Sequence, residues 1–199
     1  MGLNVHNVLM PTPDQSDTTG AIQLAKVGVT APTDAVTALS TSDWSGENSG
    51  YVGSDGVTVS GLVAAGDAVR DWSLSRIRTT KGEAEPTIQI PAISIDKFLC
   101  GLMLQSGDYT YTAANATHGN QLTMKFSGDV GPANALTINM KDEDRRVRLF
   151  APSAQVTDCD DLTLVPSDVL TVALTLSLNA DDNGHYLYFF FDDGQVVAA

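Results

Sequence analysis

The feature that most constrains this chain is an apolar–polar alternation with a period of two. In "VLTVALTLSL", Leu170, Val172, Leu174, Leu176 and Leu178 fall on one side of an extended chain. Thr171, Ala173, Thr175 and Ser177 fall on the other. Successive strand side chains point to opposite faces, so the stretch predicts an antiparallel strand with one buried side. The rhythm recurs upstream: Leu122, Met124 and Phe126, then Leu136, Ile138 and Met140, then Val147 and Leu149. Shorter strands are predicted at 21–27, 87–90, 109–113 and 161–165. In "NADDNGHYLYFFF", Asn183-Gly184 predicts a two-residue hairpin, because both central residues of a type I′ turn need positive φ. The returning strand, His185 to Phe191, is apolar or aromatic on both faces. Such a strand is either enclosed within the fold or covered by a neighbouring subunit. About ten strands separated by turn signals predict an all-β sandwich or barrel.

One segment breaks the period. In "SIDKFLCGLML", 94–104, Ile95, Phe98, Leu99, Leu102 and Met103 follow the i, i+3, i+4, i+7, i+8 spacing of an amphipathic helix. Ser94 is the expected N-cap, with Asp96 in the first turn, where the helix dipole favours an acid. Residues 28–67 are rich in Gly, Ser, Thr, Asp and Ala and too long for an ordinary connection. They carry Trp44, Tyr51, Val57 and Val59, so the expectation is a long loop that becomes ordered against something else. Residues 1–20 are expected to form a polar N-terminal arm, and 21–199 one β-domain.

Composition narrows the function classes. No apolar run approaches the ~18–20 residues of a membrane helix. The N-terminus has no basic region followed by an apolar core, so a secretory signal is not expected and cytoplasmic synthesis is. The 24 acidic and 11 basic residues give a net charge of −13. That argues against a surface that grips nucleic acid, which needs clustered Lys and Arg, but not against one that nucleic acid slides past. Cys100 and Cys159 lack disulfide-scaffold or metal-ligand spacing and are expected to be free thiols. His6, His118 and His185 have no metal or base partner at useful spacing, and no nucleophile-elbow, zinc-protease, phosphate-loop or dinucleotide motif occurs. No enzymatic activity and no cofactor are therefore expected. The acidic stretches "TDCDD" (158–161 and flank), "KDEDR" and "NADDNG" do not reproduce a calcium loop and suit solvated turns.

The positive charge is concentrated. Arg70, Arg76, Arg78 and Lys81 form one cluster, and Lys141, Arg145, Arg146 and Arg148 another; together they hold eight of the eleven basic residues. They could bind nucleic acid, pair with acids inside the fold, or meet acidic surface on another copy of the chain. The aromatic interleaving of a single-strand reader is missing. The third reading is preferred, because Arg suits interfaces through its bidentate geometry.

Four stretches, in this order, resemble the major tail (tail tube) proteins of long, non-contractile-tailed bacteriophages, particularly those infecting actinobacteria. They are "AKVGVTAPTDAVTAL" (25–39), "GYVGSDGVTVS" (50–60), "VRDWSLSRIR" (69–78) and "RRVRLFAPSAQVTDCDDLTLV" (145–165). The resemblance implies a β-sandwich-like fold with one flanking helix, similar to the tubes of type VI secretion. It implies rings of six subunits stacked into a hollow tube, with tape-measure, tail terminator and distal tail proteins as partners. Double-stranded DNA would pass through an acidic lumen without specific binding, and no membrane is involved. In such a ring 28–67 becomes an inter-ring loop, and "RDWSLSRIR" is a strand whose Trp72 and Leu74 face packed apolar surface while Arg76 and Arg78, further along the same face, run out past the core towards a neighbouring acidic subunit. "TTKGEAEP" becomes a hairpin tip. The expected inter-subunit residues are Trp44, Tyr51, Arg70, Arg76, Arg78, Lys81, Glu83, Glu85, Arg146 and Arg148. The competing expectation is a β-sandwich module that binds glycan or Ca²⁺ through Trp44, Tyr109, Tyr111, Tyr186 and the "TDCDD" acids.

Overall fold

The computed structural model of the chain describes residues 8–14, 21–44, 51–64 and 66–195. It is mainly β, built on a curled antiparallel sheet with one helix. Its centre is the hairpin of β9 (Asn134–Asp142) and β10 (Arg145–Cys159), joined at Glu143, which takes the left-handed conformation (φ 55°). Strand β10 is fifteen residues long and twice as long as most of its neighbours can cover. One of its edges is paired with β9. The other is shared end to end by β11 (Val172–Asn179), on Ser153–Cys159, and β12 (Tyr188–Asp192), on Arg146–Phe150.

That sharing corrects the hairpin expected at Asn183-Gly184. Strands β11 and β12 run in the same direction along β10 and do not pair with each other. Residues 180–187 leave the line and rejoin it. The turn closes from the Gly184 N–H to the Asp181 carbonyl at 2.9 Å, and only Gly184 has positive φ (82°). The Asp181 carboxylate accepts the N–H groups of Asn183 and His185, each at 2.9 Å, and so replaces a type I′ turn with a side-chain-held loop.

The other edge of β9 is filled in the same divided way, by β1 (Thr12–Pro13) and β2 (Ile22–Lys26). Beyond β11 the sheet continues to β6 (Thr87–Ala92) and ends at β3 (Thr58–Ser60). Two small ribbons stand outside it: β4 (Ala68–Arg70) with β5 (Arg76–Thr79), and β7 (Tyr109–Thr112) with β8 (Gln121–Met124). The strand expected at 161–165 is instead an exposed loop, since no neighbour is left to pair with it past the end of β10.

The alternation does what its period requires. Val172, Leu174, Leu176 and Leu178 are buried on one face with Ile88, Ile90, Leu136, Ile138, Leu149 and Val156. The helix α1 (Lys97–Met103) covers that face with Phe98, Leu99, Cys100 and Leu102. It is shorter than the expected 94–104. Asp96, not Ser94, is the N-cap, its carboxylate accepting the Leu99 N–H at 2.9 Å. Ser94 Oγ accepts the Tyr51 N–H at 2.8 Å instead, and Ile95 is left exposed. The Asp side chain can reach back over the first turn while Ser94, two residues earlier, cannot.

The opposite face is covered by the chain's own residues 27–44. Trp44 forms a bridge to Ala25 and is only 3% exposed, edge-on to Phe150 with ring centroids 6.0 Å apart. Val29, Leu39, Tyr188 and Phe190 complete this second cluster. Residues 51–60 lie along the β6 margin, through a Val52–Ala92 bridge and β3. Within the expected loop 28–67, the described residues up to 60 thus have anchors on their own sheet, while Tyr51, Leu62 and Val63 are exposed. Apolar side chains one residue in two or three along a glycine-rich loop are enough to anchor it when a bare sheet face is adjacent.

Replacing Leu176, which has no exposed surface, by Ala is expected to lower the unfolding free energy by about 2–5 kcal/mol, through lost burial plus a cavity. Asp96→Ala is expected to cost only about 1 kcal/mol. Urea denaturation followed by far-ultraviolet dichroism measures both.

Candidate assembly surfaces

The two basic clusters have opposite fates. Arg145, Arg146, Arg148 and Lys141 are turned inward as clamps. Arg148 is 6% exposed; its Nε donates to Asn139 Oδ1 at 2.7 Å, and Nη1 donates to the carbonyls of Asp34 and Thr37, each at 2.9 Å. It ties the 34–37 turn to the sheet. Arg145 pairs with Asp142 at 3.1 Å and donates to the Val8 carbonyl at 2.6 Å. Arg146 and Lys141 both reach Asp14, each at 3.4 Å. Together these hold residues 8–14 along β9. Arg146 and Arg148, expected between subunits, are thus engaged within one, as is Trp44. A buried guanidinium must be met by acceptors, and the carbonyls of a covering loop supply them.

The first cluster is left outside. "RDWSLSRIR" is not one strand, and Trp72 does not pack: β4 and β5 form a hairpin whose tip carries Trp72, 103% exposed, and Leu74 at positive φ (64°). The tip is held by Asp71, which accepts the Ser75 N–H at 2.8 Å and the Ser73 hydroxyl at 2.7 Å. The Ser73 hydroxyl first, then the Ser75 N–H, depress the Asp71 carboxyl. These bonds bend the chain where strand alternation alone would have continued it. Strands β4 and β5 pair with no other described strand. Arg70, Arg76 and Arg78 are exposed and form no ion pair with a described residue, and Val69 and Ile77 are exposed beside them. "TTKGEAEP" is the return path to β6, not a tip, with Lys81, Glu83 and Glu85 exposed along it. Close backbone approach makes the stem: a Cβ on Gly66 would lie 1.6 Å from the Thr80 carbonyl oxygen, and one on Gly61 (φ 71°) 2.1 Å from that of Glu85. Tyr51 is also exposed, at the β6 margin.

A third surface is the outer edge of β12. Tyr188 and Phe190 stack on the inner cluster, whereas Phe189 and Phe191 project from the opposite face and are exposed. Strand β12 pairs only with β10 among the described strands, so its far edge carries unpaired backbone groups beside bare aromatics. The sequence held this signal, a strand apolar on both faces, but not which pair of rings would be uncovered.

Nothing in the geometry favours the glycan or calcium module. Trp44 is buried, and the Tyr111 ring is capped by Lys97 Nζ, 4.3 Å from its centroid. Tyr109 lines an open cleft of about 650 Å³ between α1 and the end of β2, while Tyr186 is half-buried elsewhere. Among the described residues, no group of three or more His, Cys, Asp or Glu side chains is placed to hold a metal. His118 is tied into the 115–120 turn, His185 lies beside Tyr188, and His6 falls outside the described residues. Cys100 is buried in α1 and Cys159 exposed at the end of β10; both are free thiols, Cys100 pushed up by burial and the Asp96 charge, Cys159 by partial desolvation and the Asp160 and Asp158 charges beside it. Among the described residues no helix is long and apolar enough to cross a membrane.

An antiparallel sheet with open margins, an exposed aromatic edge and a charged projecting ribbon defines a β-protein whose distinctive surface is strand edge and arm. Comparison with known families gives that class a particular member: the model of the family described as phage tail tube protein matches residues 1–199, and the chain belongs to that family, structural components of the virion tail. No curated protein matches the chain.

Arg148→Ala is expected to destabilise the subunit by about 3 kcal/mol, since it orphans several buried acceptors. Arg78→Ala is expected to stay within about 0.5 kcal/mol of the parent. Thermal melts of the two proteins check the contrast. Acid should act through Asp34 and Asp181. Bonds from the Thr37 hydroxyl and the Thr37 and Val36 N–H groups hold Asp34 at about 2, and those from the Tyr188 hydroxyl and the His185 N–H hold Asp181 at about 2, both below the ordinary 3.8. Depressed carboxyls stabilise the fold fully above the ordinary value and lose that contribution as pH falls through about 2. The urea midpoint should drop across that window, and Asp181→Asn should flatten the drop.

Proposed function

We propose that the protein assembles, six copies to a ring, into stacked rings that form the tube of a phage tail, with no enzymatic role. The observation that carries this is the pairing of family membership with a sheet that ends in open edges, above all the β12 edge flanked by Phe189 and Phe191. An open edge is a liability in an isolated subunit, and ring closure removes it by pairing each edge with the next copy. A head-to-tail contact of this kind closes within a ring and propagates between rings. The net charge of −13 suits a conduit for DNA: like charge on the wall repels phosphate and keeps transit free of specific binding. Tape-measure, tail terminator and distal tail proteins are the partners such a tube requires. Assembly proceeds in the host cytoplasm.

Negative-stain microscopy of the purified protein is expected to show rings and tubes. The double variant Phe189→Asp, Phe191→Asp should keep the parent's dichroism spectrum and sediment as a monomer. Parent protein that remains monomeric at high concentration, without rings even beside its phage partners, would defeat the reading.

A further inference from the structure

The hairpin Ala68–Thr79 has an unmet requirement that points to its partner. Arg70 and Arg76 are cross-strand partners, and Arg78 sits two residues further along. Like charges facing each other across a ribbon are destabilising, and an isolated two-stranded ribbon is marginal in water to begin with. Among the described residues Arg70 donates to the Leu74 carbonyl at 2.8 Å, and Arg76 from Nε to Thr79 Oγ1 at 3.2 Å; neither bond neutralises charge. Trp72, Leu74 and Ile77 lie bare on the same element. Basic charge and apolar surface together call for an acidic, apolar counterpart.

One segment of the chain has that composition. The end of β10 and the loop that follows it, residues 158–171, carry Asp158, Asp160, Asp161 and Asp168, with no basic residue. Leu162, Leu164, Val165 and Val169 are exposed along it. The sheet register places the two elements at opposite ends of the same strands. The hairpin continues the β3–β6 ribbon past Ser60 and Thr87, next to Ser177 of β11. The acidic loop joins Cys159 to Val172, and Val172 pairs with Ala92 at the far end of β6. The five steps from Thr87 to Ala92, at about 3.3 Å each, separate the ends by roughly 17 Å. Two complementary elements at opposite ends of one subunit suit translation from copy to copy, the condition for an open filament.

We propose that the hairpin of one copy seats on the 158–171 loop of the copy stacked above or below it, with Arg70, Arg76 and Arg78 facing Asp158, Asp160 and Asp161, and Trp72 covering the bare leucines. This rests on the tube reading and names the contact that holds one ring to the next.

Four full-length proteins test it: the parent; Arg76→Glu, Arg78→Glu; Asp160→Arg, Asp161→Arg; and the combination of all four changes. Each is scored for ring and tube content by microscopy and sedimentation, and for folding by thermal melting. Each double reversal should cut tube mass at least about tenfold while rings persist and melting is unchanged, because all four side chains are exposed. The fourfold variant should regain tubes. Tubes that form equally well from both double variants overturn the contact and leave the tube reading standing, as does a fourfold variant that melts like the parent yet stacks no better than either double. Absence of any ring or tube from the parent protein defeats both.

Discussion

The structure depends on the length mismatch around β10. Its fifteen residues exceed what any single neighbour covers, so one edge must be shared by β11 and β12 in series. The register slips between Ala151 and Ala154, at Pro152, and again between Val156 and Asp158. Such irregularities bend and twist a sheet, and the first of them coincides with the change of neighbour from β12 to β11. The 180–187 detour, the free edge of β12 and the loop that ends β10 all follow from that mismatch. Burial on the helix face keeps the register, since a one-residue slip would turn Leu149 and Val156 away from the helix and the core they pack in.

Charge is divided by the same architecture. Basic residues near the β9–β10 turn find acids and carbonyls close by: Asp142, Asp14, and the 34–37 turn. They act as fasteners for segments that would otherwise have little to hold them. The basic residues of the 70–78 ribbon project beyond the sheet, where no described acid answers them. Three exposed guanidiniums, Arg70, Arg76 and Arg78, therefore stand on one protruding element of an otherwise acidic protein, and the contact proposed between stacked copies rests on that arrangement.

Much of the fold was legible in the residues. The alternation at 172–178 placed Leu174 and Leu176 in the core, and the break in that alternation located the helix around Phe98 and Leu99. The surfaces were less legible. Trp44 read as cargo for a neighbour because a Gly- and Ser-rich loop gives no hint that it will fold back over a sheet face. Arg148 read as an interface residue because nothing local says that the carbonyls of Asp34 and Thr37, more than a hundred residues away, will converge on it. "RDWSLSRIR" read as one irregular strand because Trp72, Leu74, Arg76 and Arg78 fall on one side of an extended chain; the Asp71 side chain, capturing Ser73 and Ser75, turns it into a tip.

Period, charge total and family resemblance were determined by the sequence alone, because each depends on residues near one another in the chain or on their sum. The division into inner clamp and outer arm was decided only by tertiary structure. Both basic clusters have the same composition, and what separates them is whether folding brings carboxylates or the carbonyls of a distant segment to the cations, which is set by long-range strand register.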